Sequence, residues 1–133
     1  MSHYVDVETE IQNQSALVRA LERLGFKDKI EIHSIPQNLY GYQGDLRKQK
    51  ANVIIRKKHV GRAANDIGFE KTSNGRFIAH ISEFDHNKYG QSWQRKLFTY
   101  YGVEAAKIEC EKMSYTYTET VDEKERPRLK IMI

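Results

Sequence analysis

The chain has 133 residues, of which 39% are hydrophobic, 30% charged and 11% aromatic, with a formal net charge of +4. That length suits one domain, residues 1–133, able to bury a core without staples, and the aromatic content argues against a disordered chain. The single cysteine, Cys110, excludes an internal disulfide, and the lack of any run of more than three strongly apolar residues excludes a transmembrane helix or signal-peptide core. A soluble, cytoplasmic protein is the expectation.

Residues 3–11 alternate, with His3, Val5, Val7, Thr9 and Ile11 on one side, and predict a half-buried strand. Asn13 or Ser15 caps a helix whose Ala16, Leu17, Ala20, Leu21 and Leu24 share one face, and Gly25 stops it. A second strand is predicted over 30–35, with Ile30 and Ile32 inward and Pro36 ending it. Residues 37–50 read as a turn region around Gly41 and Gly44. A third strand over 51–58 is built on Val53, Ile54 and Ile55, and a loop follows around Gly61. Two strands near 66–71 and 76–83 flank Ser73-Asn74-Gly75, a hairpin signal because Asn and Gly tolerate positive φ. Trp93, Leu97, Tyr101, Ala105 and Ile108 predict a helix over 88–112, inside which Gly102 marks a kink or a close contact with the sheet. Residues 113–121 and 128–133 predict a C-terminal hairpin. The fold class is α+β: a mainly antiparallel sheet with two helices packed on one face, in two loosely similar strand-helix-strand-strand halves.

The positive charge is concentrated. Residues 1–44 carry four Lys/Arg against six Asp/Glu, and residues 63–133 carry eleven of each. Residues 45–62 carry Arg47, Lys48, Lys50, Arg56, Lys57, Lys58 and Arg62 against Asp45 alone. Such a cluster attracts phosphate-bearing partners at range. Lysines protecting an exposed sheet edge give the same count. If Arg56 to Lys58 continue the strand, Arg56 and Lys58 share its exposed face and Lys57 turns toward the core.

Signals of catalysis are weak. No Gly-x-Ser-x-Gly turn and no phosphate-binding glycine loop of the Gly-x-x-x-x-Gly-Lys-Ser/Thr or Gly-x-Gly-x-x-Gly type occurs. Cys110 lies between Glu109 and Glu111, one position outside the apolar stripe, and reads as inert. His80, Glu83, Asp85 and His86 lack the spacing of a recognised metal site, so neither a metal nor another cofactor is expected. Among the aromatics, Trp93 and Tyr101 read as core, while Tyr42 and Tyr100 are freer for a surface role.

Several segments together carry a family resemblance. They are the opening Met-Ser-His-Tyr, the segment from Ala20 to Phe26, Gly41-Tyr42-Gln43-Gly44, Asp66-Ile67-Gly68-Phe69, Asn74-Gly75, and the Tyr100-Tyr101 helix with its terminal strand. In these the chain resembles a distant member of the family of the hypothetical chloroplast reading frame thirty-five, a domain of unknown function found in cyanobacteria, plastids and some phages. It departs from that family at Glu83-Phe84-Asp85-His86, at Ser114-Tyr115 and in the basic stretch Arg56 to Arg62. The resemblance implies a fold but no activity, and it adds the plastid stroma or a phage host's cytoplasm as compartments.

The expected function is non-enzymatic binding of a phosphate-bearing ligand, nucleic acid or nucleotide. The candidate residues are Gly41, Tyr42, Gln43, Gly44, Arg47, Lys48, Lys50, Arg56, Lys58 and Arg62, with the two glycines letting backbone N–H groups approach an anion. The alternative is an adaptor that presents the same surface to an acidic protein. An enzyme using Asp66, His80 or His86 as acid or base ranks third. The oligomeric state is open, a homodimer included.

Overall fold

The computed structural model describes residues 3–133. Met1 and Ser2, half of the Met-Ser-His-Tyr segment, lie outside the described residues. Five strands form one antiparallel sheet: β1 (Tyr4–Glu8), β2 (Glu31–Tyr40), β3 (Leu46–Ile55), β4 (Ile67–Lys71) and β5 (Phe77–Ser82), in the order β1-β5-β4-β3-β2. Alternation puts Val53, Ile55, Ile67, Phe69, Phe77, Ala79 and Ile81 on one face, all buried. That face is covered by α1 (Gln14–Leu21) and α4 (Gln91–Lys112), which pack side by side. The class is α+β.

The Asn13 side chain accepts a hydrogen bond from the Ala16 N–H and so caps α1, while Ala16, Leu17, Ala20 and Leu21 bury its inner face. The helix ends at Leu21, earlier than expected. The chain continues in one wide π-helical turn, Glu22–Phe26, closed by Gly25 at φ 101°. β1 is shorter than the alternation predicts and stops at Glu8. Beyond it Thr9 and Ile11 stay buried, because the Thr9 hydroxyl bonds the Phe77 carbonyl and the Phe77 N–H bonds that of Ile11.

β2 departs most from expectation. Pro36 does not end it, and Ile32 is exposed, not inward. β2 is an edge strand, where a missing N–H costs no ladder bond, and its pairing with β3 shifts register between Ile32 and Gln37. The Asn52 amide donates to the His33 and Ser34 carbonyls beside this bulge and accepts from the Lys71 N–H. A second shift follows between Asn38 and Tyr40.

The bent outer half of the β2–β3 hairpin folds back over the open face of the sheet. Leu39, Ala51 and Ile54 form a second small core there with Tyr4, which comes from the opposite edge strand. The Arg47 guanidinium lies 5.2 Å from the centre of the Tyr4 ring, and the Tyr4 hydroxyl donates to the Asp66 carbonyl at 2.6 Å. Burial, with Asp66 adding to it, pushes the Tyr4 phenol well above its ordinary pKa. Next to this cover, buried His80 bridges Asp6 on β1 (2.7 Å) and Glu70 on β4 (2.8 Å), tying three strands together.

A short helix α2 (Lys57–Val60) follows β3, and another, α3 (His86–Tyr89), precedes α4. β6 (Thr116–Val121) and β7 (Pro127–Met132) pair with each other in a separate ribbon, so the second half of the chain does not repeat the first within the sheet. Ion pairs hold this ribbon to the helices: Arg23 reaches Glu104 at 2.9 Å and Glu119 at 2.6 Å, and Lys107 bridges the same two carboxylates. The Arg23 hydrogen bond holds the Glu119 carboxyl below the usual carboxylate range.

Gly102 makes neither a kink nor a close contact. It is exposed within the continuous α4, and a Cβ there meets nothing within 4 Å. Gly102→Ala is therefore expected to stabilise the protein by about 0.5–1 kcal/mol in urea denaturation. Destabilisation in that assay contradicts the open surroundings of this position.

Candidate nucleic-acid interface

The basic segment is split between β3, α2 and the loop after it, and Asp66 organises the part that matters. Its side chain, 1% exposed, accepts hydrogen bonds from the Tyr40 N–H (2.7 Å), the Lys57 N–H (2.7 Å) and Arg56 Nη1 (2.8 Å). One buried carboxylate thus joins the folded-back hairpin, the first turn of α2 and the start of β4. Asn65 adds a second tie, accepting from the Tyr42 N–H through its side-chain oxygen, and is itself held by Asp85. The Gly41–Gly44 turn and the Asp66–Phe69 strand start, separate in sequence, are one docked unit.

Gly68 explains the closeness of this docking. A Cβ on Gly68 lies 2.5 Å from the Ala51 Cβ and 2.8 Å from a Leu39 methyl, so any side chain here pushes the hairpin off the sheet. Gly68→Ala is expected to cost about 1–3 kcal/mol, as overpacked cores do. A loss under half a kcal/mol in chemical denaturation contradicts this contact.

The hairpin turn and α2 flank an open cavity of about 310 Å³ lined, mostly through apolar atoms, by Tyr40, Gly44, Arg56, Lys57, Lys58 and Asp66. Of the expected residues it brings together Gly44, Arg56 and Lys58. Tyr42 and Gln43 are exposed on the adjoining turn, whereas Arg47 is drawn to Asp45 and Tyr4 on the sheet's open face. Lys48, Lys50 and Arg62 are exposed outside the cavity.

Two expectations about this segment are corrected. β3 ends at Ile55, so Arg56 and Lys58 do not share a strand face. Arg56 stands at the entry to α2, and Lys57 joins Lys58 in the cavity wall instead of facing the core. The glycine N–H groups are also already used, Gly41 bonding the Asp45 carbonyl and Gly44 that of Gly41. Gly44 suits its φ of 79°, whereas a Cβ on Gly41 meets only the movable carboxylate end of Asp45.

Arg56 is committed to the structure. Its guanidinium donates to both carboxylate oxygens of Glu31, to the Asn38 carbonyl and to Asp66. These bonds hold the Glu31 carboxyl below its ordinary pKa. Lys57 and Lys58, by contrast, make no ion pair among the described residues, and neither do Lys48, Lys50 and Arg62. Three residues that line the cavity were not among the expected ligand-binding residues: Lys57, Tyr40 and Asp66, the last weighed only as an acid or base. The run Arg56-Lys57-Lys58 before a buried Val60 was the available signal, but a four-residue helix shows no periodicity.

Elsewhere, Tyr100 lies under Arg23 at 4.3 Å and so is not a free aromatic surface. Trp93 and Tyr101 pack against the core, the Tyr101 hydroxyl accepting from the Gln12 and Asn13 N–H groups. Cys110 is buried, despite its place beside the stripe. His86 contacts the Ser82 carbonyl and is not joined to His80, and among the described residues no group of His, Cys, Asp and Glu is arranged to hold a metal ion. A larger groove of about 680 Å³ runs between the β4–β5 turn and α4, past Glu10, Asn74, Phe98 and Tyr101.

The fold and site together define an α+β domain whose folded-back basic hairpin is locked onto its own sheet. The chain belongs to a family described as protein of unknown function, DUF1257, whose model matches residues 20–129. That range contains the hairpin, Asp66 and α4, and it begins near the end of α1. No curated protein and no solved structure matches the chain. No helix among the described residues is long and apolar enough to cross a membrane.

Proposed function

We propose that this chain is a non-enzymatic binding protein for a phosphate-bearing ligand, held at the cavity between the β2–β3 turn and α2. The observation that carries this reading is the pair of lysines, Lys57 and Lys58, lining a concavity without any carboxylate partner. Clustered ammonium groups left unpaired beside a cavity attract anions, and the other unpaired cations of the segment extend the field around it. Arg56 and Asp66 build the wall and are not themselves the recognition groups. The chain's placement with the chloroplast reading frame thirty-five group is part of this proposal and rests on the sequence resemblance of segments such as Gly41–Gly44 and Asp66–Phe69.

Binding of a labelled oligonucleotide, measured by fluorescence anisotropy across a salt series, tests the reading. Affinity should fall steeply with salt, and Lys57→Gln with Lys58→Gln should flatten the log–log slope by roughly one to two units. Wild-type protein that binds neither oligonucleotides nor nucleotides at low salt overturns the reading. The same surface then falls to an acidic protein partner.

A further inference from the structure

We infer that the ligand is a single-stranded nucleic acid, an inference that rests on the phosphate-binding reading above and names its polymer. The cavity, at about 310 Å³, lies at the small end of the roughly 300–1,000 Å³ range of ligand pockets. At that size it takes a single nucleotide unit, and a longer ligand must continue outside it. Unpaired cations also lie outside it: Lys48 and Lys50 on β3 and Arg62 after α2 are exposed and belong to the same eighteen-residue segment. A free mononucleotide leaves these cations unused, whereas a chain of phosphates engages them. Lys48 and Lys50 are two residues apart on one strand and point the same way, roughly 7 Å from each other.

The aromatic groups favour an unpaired strand. Tyr40 lines the cavity and is 40% exposed, and Tyr42 on the adjoining turn is 43% exposed. The Arg56 guanidinium sits 5.7 Å from the Tyr40 ring centre and is itself fixed by Glu31, Asp66 and Asn38. The ring is therefore placed on a rigid support before any ligand arrives. A tyrosine face in a cavity of this size stacks on a base only if that base is free of its complementary strand. Asp66 and Glu31 share the charge of Arg56, which leaves this wall one net negative charge, and the two ammonium groups of Lys57 and Lys58 outweigh it.

The test uses the full chain with three fluorescein-labelled probes in low salt: a single strand of about a dozen nucleotides, a duplex of the same length, and a mononucleotide. The single strand should bind at least roughly ten-fold tighter than either competitor. Tyr40→Leu should weaken it by roughly ten-fold and Tyr40→Phe should restore it, as stacking requires a ring and no hydroxyl. A duplex or mononucleotide bound as tightly as the single strand, or an unchanged affinity in Tyr40→Leu, overturns the single-strand inference while the phosphate reading stands. Absence of binding by all three probes overturns both.

Discussion

Replacing Asp66 with alanine is expected to lower the stability of the protein by about 3–5 kcal/mol, the usual loss when one partner of a buried ion pair is removed. The side chain is almost fully buried and its two oxygens serve three donors, one at the end of β2 and two at the entry to α2. Alanine leaves the Tyr40 and Lys57 N–H groups facing an apolar methyl, each with a desolvation penalty of about 1–3 kcal/mol. It also leaves Arg56 to Glu31 alone, at a position only 23% exposed. The loss should concentrate in the folded-back hairpin, so amide exchange at Tyr40 and Tyr42 should accelerate ahead of exchange in β5. A double-mutant cycle with Arg56→Met separates the ion pair from the backbone bonds. Coupling of about 1–3 kcal/mol is the expected outcome. A loss below about 1 kcal/mol for Asp66→Ala alone means that the hairpin is not held through this carboxylate.

The dependence on Asp66 also explains which parts of the fold were legible in the sequence. The α1 face follows from the spacing of Leu17 and Leu21, the β4–β5 turn from Asn74-Gly75, and the terminal ribbon from its Thr-rich alternation, because each of these is a local pattern. The folded-back hairpin is not local. Pro36 reads as a strand end, and only the edge position of β2 and the Asn52 bonds to the bulge reveal why the strand continues. The candidate site shows the same division. A charge count finds the cluster at residues 45–62. It does not see that Arg56 is matched by Glu31, 25 residues before it, and by Asp66, 10 residues after it. Subtracting those pairs moves the recognition chemistry from Arg56 to Lys57 and Lys58.

Leu21→Ala is expected to cost about 2–5 kcal/mol, the range for a leucine truncated in a packed core. Leu21 has no exposed surface and sits with Leu17 and Ala20 among Phe69, Ile81 and Leu97. At eight residues α1 is too short to be stable alone, so its helicity depends on this face. Its outer side matters as well. Arg19 on α1 and Arg23 in the turn after it carry the ion pairs to Glu104, Glu111 and Glu119 that hold α4 and the terminal ribbon. Loosening the inner face therefore disturbs the outer network, and the ribbon should unfold with the sheet in one transition. The expected signature in urea is a lower midpoint with an unchanged slope. Leu24 gives the comparison: it lies in the wide turn and is only partly buried, so Leu24→Ala should cost clearly less than Leu21→Ala. Equal losses at the two positions, or a loss below half a kcal/mol at Leu21, contradict the assignment of the buried face. A second transition appearing in Leu21→Ala instead shows that the ribbon stands without α1.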